Sequence, residues 1–250
     1  MRRTIVAKIA TYPPRRERVL PMVRSLVNQV DRINLVLNEY DAPLPEIAGF
    51  DKIHQIIPPE DLKDTGKFFP EVPADSTVFL LDDDVEYPPD FVRLSLERRA
   101  ALPAGRRYLC GYHGSLYQWP ERKKKDTFWT HVKKVFGNVA DNRRPLTFYK
   151  ALDQATVVDQ IATNSAFLEA ADMPPWRWMK GSEKFVDVRL ARWCFRRGIT
   201  PVCLPRAAGW LNPVRFEETI FFDFTRSNPP HVAREIWRYA FRTKGRGKTL

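Results

Sequence analysis

An apolar run, Val78-Phe-Leu-Leu, leads without a break into three consecutive aspartates, Asp82-Asp83-Asp84, and then into Val85-Glu86. A short apolar run bounded by charge reads as a strand buried on both faces, the kind found inside a parallel sheet. In an open sheet of that kind, ligands sit at the carboxyl ends of the strands. Adjacent carboxylates repel one another and are costly to fix unless a cation or hydrogen-bond donors compensate them. The alternate residues Asp82 and Asp84 can converge on one hard cation, while Asp83 points elsewhere. Oxygen-only ligation suits Mg2+ or Mn2+, which keep water and ligand phosphates in their shells. The plainer alternative is an acidic turn capping a helix at Pro89, but a cap needs one acid rather than three.

Around this run the first half of the chain alternates short apolar stretches with helical patterns. Residues 4–10 read as a strand. Residues 15–29 read as a helix, because Val19, Leu20, Val23, Leu26, Val27 and Val30 recur at three-to-four spacing. Strands follow at 33–37, 53–57 and 77–81, then a helix from about 89 to 101 and a strand at 108–111. Such alternation argues for a mostly parallel, doubly wound sheet. In the second half, 157–163 reads as a strand, 166–171 as a short helix and 173–179 as an aromatic-rich loop. Residues 186–197 form a helix stopped by Gly198, 201–204 a strand, and 231–242 a final helix. At 250 residues and 44% hydrophobic, the chain supports one large domain and is not disordered.

Lys and Arg total 41 against 30 Asp and Glu, a formal charge of +11 that favours anionic partners without choosing among them. One basic segment, 122–134, carries Arg122, Lys123, Lys124, Lys125, Lys133 and Lys134, as a solvated loop or a flexible approach to an anionic ligand or lipid. A second lies at the carboxyl terminus, where Arg234, Arg238, Arg242, Lys244, Arg246 and Lys248 face a single acid, Glu235. With Trp237, Tyr239 and Phe241 interleaved, this segment either lies on an anionic membrane surface or packs its apolar face on the domain. The three cysteines, Cys110, Cys194 and Cys203, lack metal-ligand spacing and read as reduced thiols of a cytoplasmic protein. The start, Met-Arg-Arg, mimics a signal peptide, but its apolar stretch is interrupted by Lys8 and is too short. No window approaches the ~18 apolar residues of a membrane span.

Taken together, ordered segments of the chain resemble the family-2-type glycosyltransferases of GT-A fold, of the bacterial sort that builds surface polysaccharide. Ile9-Ala-Thr-Tyr-Pro-Pro-Arg-Arg-Glu17, with a helix ending Ser25-Leu-Val-Asn-Gln29, resembles that family's first strand and helix, and Asp31-Arg-Ile-Asn-Leu-Val-Leu-Asn38 its second strand. Asp64-Thr-Gly-Lys67-Phe68 resembles the segment before the DxD strand. Asp82-Asp83-Asp84 with Tyr87-Pro-Pro-Asp90 resembles the DxD motif itself, and Gly111-Tyr-His113-Gly114 the end of a following strand. More thinly, Thr163-Asn164-Ser165-Ala166-Phe167 resembles the acceptor-side turn. Val186-Asp187-Val-Arg-Leu190 through Arg197-Gly198 resembles the helix bearing the catalytic acidic residue. The resemblance covers roughly residues 4–204.

The resemblance implies a GT-A-like (Rossmann-like) α/β domain, a mostly parallel mixed sheet flanked by helices. That domain would span 1–228, with a nucleotide-binding half to about 115, an acceptor half beyond it, and a basic helix and tail at 229–250. It implies inverting transfer of a sugar from a nucleotide-sugar donor, UDP by family frequency, to a glycan or lipid-linked glycan acceptor. Mn2+ or Mg2+ would be held by Asp84 with Asp82, and Asp83 would accept a hydrogen bond from the ribose. Thr11, Asn38 and Asp64 would face the nucleotide, with Arg15 and Lys67 offsetting its phosphates. Asp187 would be the general base, kept ionised by the helix dipole. The family usually places Glu-Asp there; this chain has Val186 and then Asp187, with Glu183 one turn earlier as a fallback. His113, Asn164, Trp176 and Trp178 would contact the acceptor. No third metal ligand is evident: 206–210 holds no histidine and His231 lies far downstream.

Two other classes stay open. The same aspartates suit a metal-dependent phosphohydrolase or nuclease, and the net charge suits a nucleic-acid-binding module. Against the latter, the aromatics form no stacking platform among the basic residues, and an acidic triplet repels phosphate unless filled by metal, so no nucleic acid is expected. Placement is expected in the cytoplasm, with contact at the inner face of the membrane as an open alternative.

Overall fold

The computed structural model describes residues 3–119, 127–129, 139–214 and 229–250. The chain opens with β1 (Thr4–Thr11), turns through a 3-10 segment at Pro13–Arg15 into α1 (Arg16–Leu26), and returns as β2 (Arg32–Leu37). β3 (Ile53–Ile56), β4 (Ser76–Leu81), β5 (Val85–Glu86), α2 (Phe91–Ala100), β6 (Tyr108–Gly111) and β7 (Gly114–Tyr117) follow. Next come β8 (Arg143–Leu146), β9 (Thr156–Val157), β10 (Gln160–Ile161), β11 (Ser165–Glu169) and the short helix α3 (Trp176–Met179). α4 (Val186–Arg197), β12 (Thr200–Cys203), β13 (Asn212–Pro213) and α5 (Pro230–Ile236) complete the order.

Eight strands form one mixed central sheet in the order β3-β2-β1-β4-β11-β6-β12-β9, flanked by helices. The run β3-β2-β1-β4 is parallel, as is β6-β12, whereas β11 is antiparallel to both β4 and β6. A three-stranded sheet, β10-β7-β8, and a two-stranded one, β13-β5, sit beside it. β4 is buried at every position, as its unbroken apolar sequence requires. Its residues alternate between two cores. Phe79 and Leu81 face a layer containing Val19, Val23 and Leu26 of α1 and Phe91 of α2. Val78 and Leu80 face Met179 of α3 and Val186, Leu190 and Cys194 of α4. The sheet is therefore covered on both faces, and only the ends of its strands are left to carry a ligand site. Among the described residues no helix is long and apolar enough to cross a membrane.

Several sequence expectations are corrected. Residues 166–171, expected as a helix, run as β11 and a 3-10 turn at Ala170–Asp172. Their Ala, Leu and Glu favour helix weakly, and pairing on both sides, with Phe167 stacked on Phe79 at 4.8 Å, outweighs that preference. The single strand expected at 157–163 is two short strands in different sheets, β9 and β10. The first helix stops at Leu26 rather than reaching 29. Most of the expected loop at 173–179 is α3. The final helix ends at Ile236, after which the chain continues in hydrogen-bonded turns.

The carboxyl-terminal segment is built into the domain rather than hung from it. Arg246 Nε donates to both oxygens of Asp159 at 3.1 and 3.2 Å. The amides of Gly247 and Leu250 donate to the carbonyls of Val157 and Ala155. Tyr239 and Tyr117 both donate to Gln160 Oε1 at 2.7 Å. The expected basic segment around Arg122, Lys123, Lys124, Lys125, Lys133 and Lys134 lies outside the described residues.

Candidate functional site

β1 and β4 lie side by side where the strand order reverses, and the chain leaves both at the same edge of the sheet. A cavity of about 540 Å3 opens there, lined from β1 and its exit by Thr11, Tyr12 and Arg15, and after β2 by Asn38 and Glu39. The 61–67 segment adds Asp64 and Lys67, the turn after β4 adds Asp82 and Asp84, and the start of α4 adds Asp187. Segments far apart in sequence meet here because each follows a strand or opens a helix pointing at this edge.

The three aspartates diverge. Asp83 turns inward, its side chain 1% exposed; Oδ2 accepts from Thr11 Oγ1 at 2.6 Å and Oδ1 from Arg15 Nη1 at 2.5 Å. Asp83 is therefore an internal tie between the ends of β1 and β4 and does not line the cavity, contrary to the expected contact with a ribose. Asp82 and Asp84 remain 32% exposed and face the cavity. Asp82 pairs with the buried Lys67 ammonium, and Arg15 Nη2 lies 3.3 Å from Asp84. Tyr87 fixes the turn: its hydroxyl accepts the Asp82 amide hydrogen at 2.9 Å and donates to the Asn164 carbonyl at 2.7 Å.

Lys67 sits in a 3-10 segment, Lys63–Phe68, that presses close against the sheet; a Cβ on Gly66 would meet Val36 Cγ1 at 3.0 Å. Burial works against the Lys67 charge, and Asp82 beside it outweighs that and raises its pKa. Its ammonium also reaches the Thr163 carbonyl at 3.2 Å, while the Thr163 amide donates to Asp187 Oδ1 at 2.8 Å. A continuous polar path thus joins Asp82, Lys67, Thr163 and Asp187. Burial pushes the Asp187 pKa up, against the Thr163 hydrogen bond and the Lys67 charge. Asp187 stands at the start of α4 as expected, and burial there sets the direction of its shift. Asp64 accepts from the Lys184 amide at 2.9 and 3.0 Å, and burial raises its pKa to about 6. Asn38 lines the cavity yet uses its side chain to hold the 62–63 backbone, accepting from Leu62 and donating to the Lys63 carbonyl.

A divalent cation fits this arrangement. Burial, and next the charge of Asp82, raise the Asp84 pKa to about 6, so the pair is short of compensating charge in spite of Arg15 and Lys67. Among the described residues no three His, Cys, Asp or Glu side chains converge on one point. A cation held by Asp82 and Asp84 would complete its shell with ligand phosphate and water, as Mg2+ and Mn2+ do.

The expected acceptor residues are not brought to this cavity. His113 lies half-buried between β6 and β7, and desolvation, then Arg143, lowers its pKa to about 4, so the ring is neutral. In the tautomer protonated at Nε2, its Nδ1 accepts from the Asn164 amide at 3.4 Å. Trp176 packs edge-on against Phe69 and Trp178 against Trp193, both half-buried against the core beneath α4. Other wall residues are absent from the sequence reading: Glu39, Lys63 and Lys184, and from the distal side Tyr117, Arg143, Gln160, Val232 and Ile236. Glu39, Lys63 and Lys184 adopt φ of 59°, 48° and 70°. Left-handed conformations at non-glycine residues are costly and gather at functional sites, but nothing in the residue types announces them.

No protein-family model matches the chain, and no curated protein matches it in sequence.

Proposed function

We propose that the protein is a metal-dependent glycosyltransferase of GT-A type, moving a sugar from a nucleoside-diphosphate sugar, UDP-linked in first preference, to an acceptor hydroxyl. One observation carries this: a carboxylate pair suited to a diphosphate-bound cation and a half-buried carboxylate suited to a base share a single cavity, at the strand ends where an open α/β sheet binds ligands. The volume of about 540 Å3 is of the order that small-ligand sites have.

In this reaction the acceptor oxygen forms a bond to the anomeric carbon as the bond from that carbon to the diphosphate oxygen breaks. Asp187 takes the acceptor proton; its raised pKa makes it a stronger base than an exposed aspartate. Arg15 lies at the same wall as the aspartates, where its guanidinium can meet a phosphate while remaining tied to Asp83. A Mg2+ or Mn2+ ion at Asp82 and Asp84 would supply charge neutralisation of the leaving diphosphate. Lys67 holds Asp82 in place and orders Thr163 under Asp187, so the donor and acceptor ends of the site are set relative to one another. The apolar wall from Val188, Val232 and Ile236 would help exclude water from the activated sugar.

Calorimetric titration of UDP and of GDP into the wild type and Asp84→Ala, with and without Mn2+, tests the proposal. Metal-dependent binding of one nucleotide, lost in the variant, is expected. No binding of either nucleotide under any condition would overturn it. Hydrolysis of a generic phosphoester in the absence of an acceptor would reassign the aspartates to a phosphohydrolase.

A further inference from the structure

A second cavity, about 430 Å3, lies at the far end of α4 from Asp187. Asp187 and Val188 at the start of α4 line the first cavity, whereas Ala191, Phe195 and the Gly198 cap line the second, so the same helix borders both. Its charged lining is Arg106, Arg107, Arg242 and Lys244, and no acidic residue lines it. Arg107 is anchored, donating to Asp172 Oδ1 at 3.0 Å and to the Arg197 carbonyl. Among the described residues the side chains of Arg106, Arg242 and Lys244 make no hydrogen bond or ion pair, Arg242 bonding only through its backbone amide to the Tyr239 carbonyl, and all three are exposed. Three uncompensated cations around one concavity are a site for an anion.

The stretch that supplies Arg242 and Lys244 also supplies Trp237 and Phe241, which meet Trp119 from beyond β7 in an aromatic ridge. Trp119 is 57% exposed and stacks on Phe241 at 4.8 Å, with Trp237 at 5.5 Å from Trp119. Phe241, at φ 67°, breaks the preceding helical turns, and Arg242 of the groove follows it directly. Phe195, 39% exposed, lines the groove itself. Arg234 and Arg238 are exposed beside the ridge, while the acid of that segment, Glu235, is buried against Arg189 and Arg192. A free phosphate would need the cations only. An exposed Trp119, stacked on the half-buried Trp237 and Phe241, beside uncompensated Arg and Lys is a combination suited to the headgroup layer of an anionic bilayer.

We propose that this face docks on an anionic lipid bilayer, with a lipid phosphate seated among Arg106, Arg242 and Lys244 and the ridge of Trp119, Trp237 and Phe241 at the headgroup level. The sequence alone pointed to an amphipathic helix as the membrane element. The structure narrows that candidate, because the apolar side of α5 (Val232, Ile236) is turned to the domain and to the first cavity, which leaves Trp237, Phe241, Arg242 and Lys244 and adds Trp119 and Arg106 from earlier in the chain. The proposal stands without the sugar-transfer reading, and its test does not use activity.

The test is co-sedimentation of the full chain with phosphatidylcholine vesicles, with and without phosphatidylglycerol. Binding is expected to require phosphatidylglycerol and to be lost at about 1 M salt, where charges are screened beyond about 3 Å. The triple variant Arg106→Glu, Arg242→Glu, Lys244→Glu is expected to lose at least about tenfold in bound fraction. Trp119→Ser is expected to weaken binding several-fold with the charge unchanged and the far-ultraviolet circular dichroism spectrum intact. No phosphatidylglycerol-dependent binding, or binding equal in the wild type and the triple variant, overturns the proposal. So does inorganic phosphate binding at the groove without vesicle binding, which makes it a soluble-phosphate site, or oligonucleotide binding without vesicle binding.

Discussion

The Thr163 amide donates to Asp187 Oδ1 at 2.8 Å, and the Thr163 carbonyl accepts from the Lys67 ammonium at 3.2 Å. Asp187 is thereby oriented by the same short stretch of backbone that touches the partner of Asp82. If Asp187 is the base, Asp187→Asn keeps the shape and the Thr163 contact but cannot take a proton. Transfer should fall by roughly 10²- to 10⁴-fold, with metal-dependent nucleotide affinity unchanged. Because burial raises the Asp187 pKa, wild-type turnover should decline as pH falls through that raised value. Equal loss of turnover and nucleotide affinity in the variant would make Asp187 a structural residue.

The neighbouring aspartates should separate cleanly by stability. Asp83 is internal and tied to Thr11 and Arg15. Asp83→Ala removes the acceptor of Thr11 and leaves the Arg15 guanidinium to Asp84, and should cost about 1–3 kcal/mol. Asp84→Asn removes a carboxylate that burial and Asp82 already disfavour, so the ligand-free protein should be as stable as wild type or more so at pH 7. It should nevertheless lose Mn2+-dependent nucleotide binding. Denaturant melts of the two variants beside the wild type check the order.

What the sequence disclosed follows from where its information is local. α4 and its stop were legible because Gly198 takes a left-handed cap, φ 66°, that glycine adopts without penalty. The placement of the aspartates at a strand end was legible from the run of apolar residues before them. Their separate roles were not, because the direction of Asp83 is decided by Thr11 and Arg15, some seventy residues away. β11 was hidden for a similar reason: Ala166, Phe167 and Leu168 carry no strong local preference, and strands on both sides decide their conformation. The tryptophans at 176 and 178 and His113 drew attention as residue types, whereas burial and packing set their roles.

A close approach between elements gives a test of the fold behind the site. A Cβ at Gly111 would lie 2.5 Å from Ile161 Cγ2 and 3.1 Å from the Ser165 carbonyl oxygen. Gly111→Ala should destabilise by about 1–3 kcal/mol through overpacking. Ile161→Ala removes the opposing methyl group, so the double variant should be more stable than the sum of the single losses predicts. Strict additivity in denaturant titrations would mean that β6 and β10 do not approach so closely.

The pH dependence of stability offers the sharpest check on the charged wall. Burial lifts the Asp64 pKa from 3.8 to about 6, so between those values the folded chain holds the proton more tightly than the unfolded chain. The contribution of Asp64 to stability is therefore largest below about 4, falls as pH rises to 6 and stays low above it. His113 acts with the opposite sign. Its pKa is lowered from 6.5 to about 4, so its contribution is lost as pH falls through that window. The wild-type profile alone mixes the two, together with Asp84 and Asp187. Asp64→Asn removes one contribution and leaves the others common to both proteins. The stability of the wild type relative to Asp64→Asn should fall by at most about 3 kcal/mol from pH 4 to 6, then level off. A difference that does not vary with pH, in melts of ligand-free protein, would mean that Asp64 is not held in the buried setting that faces Lys184.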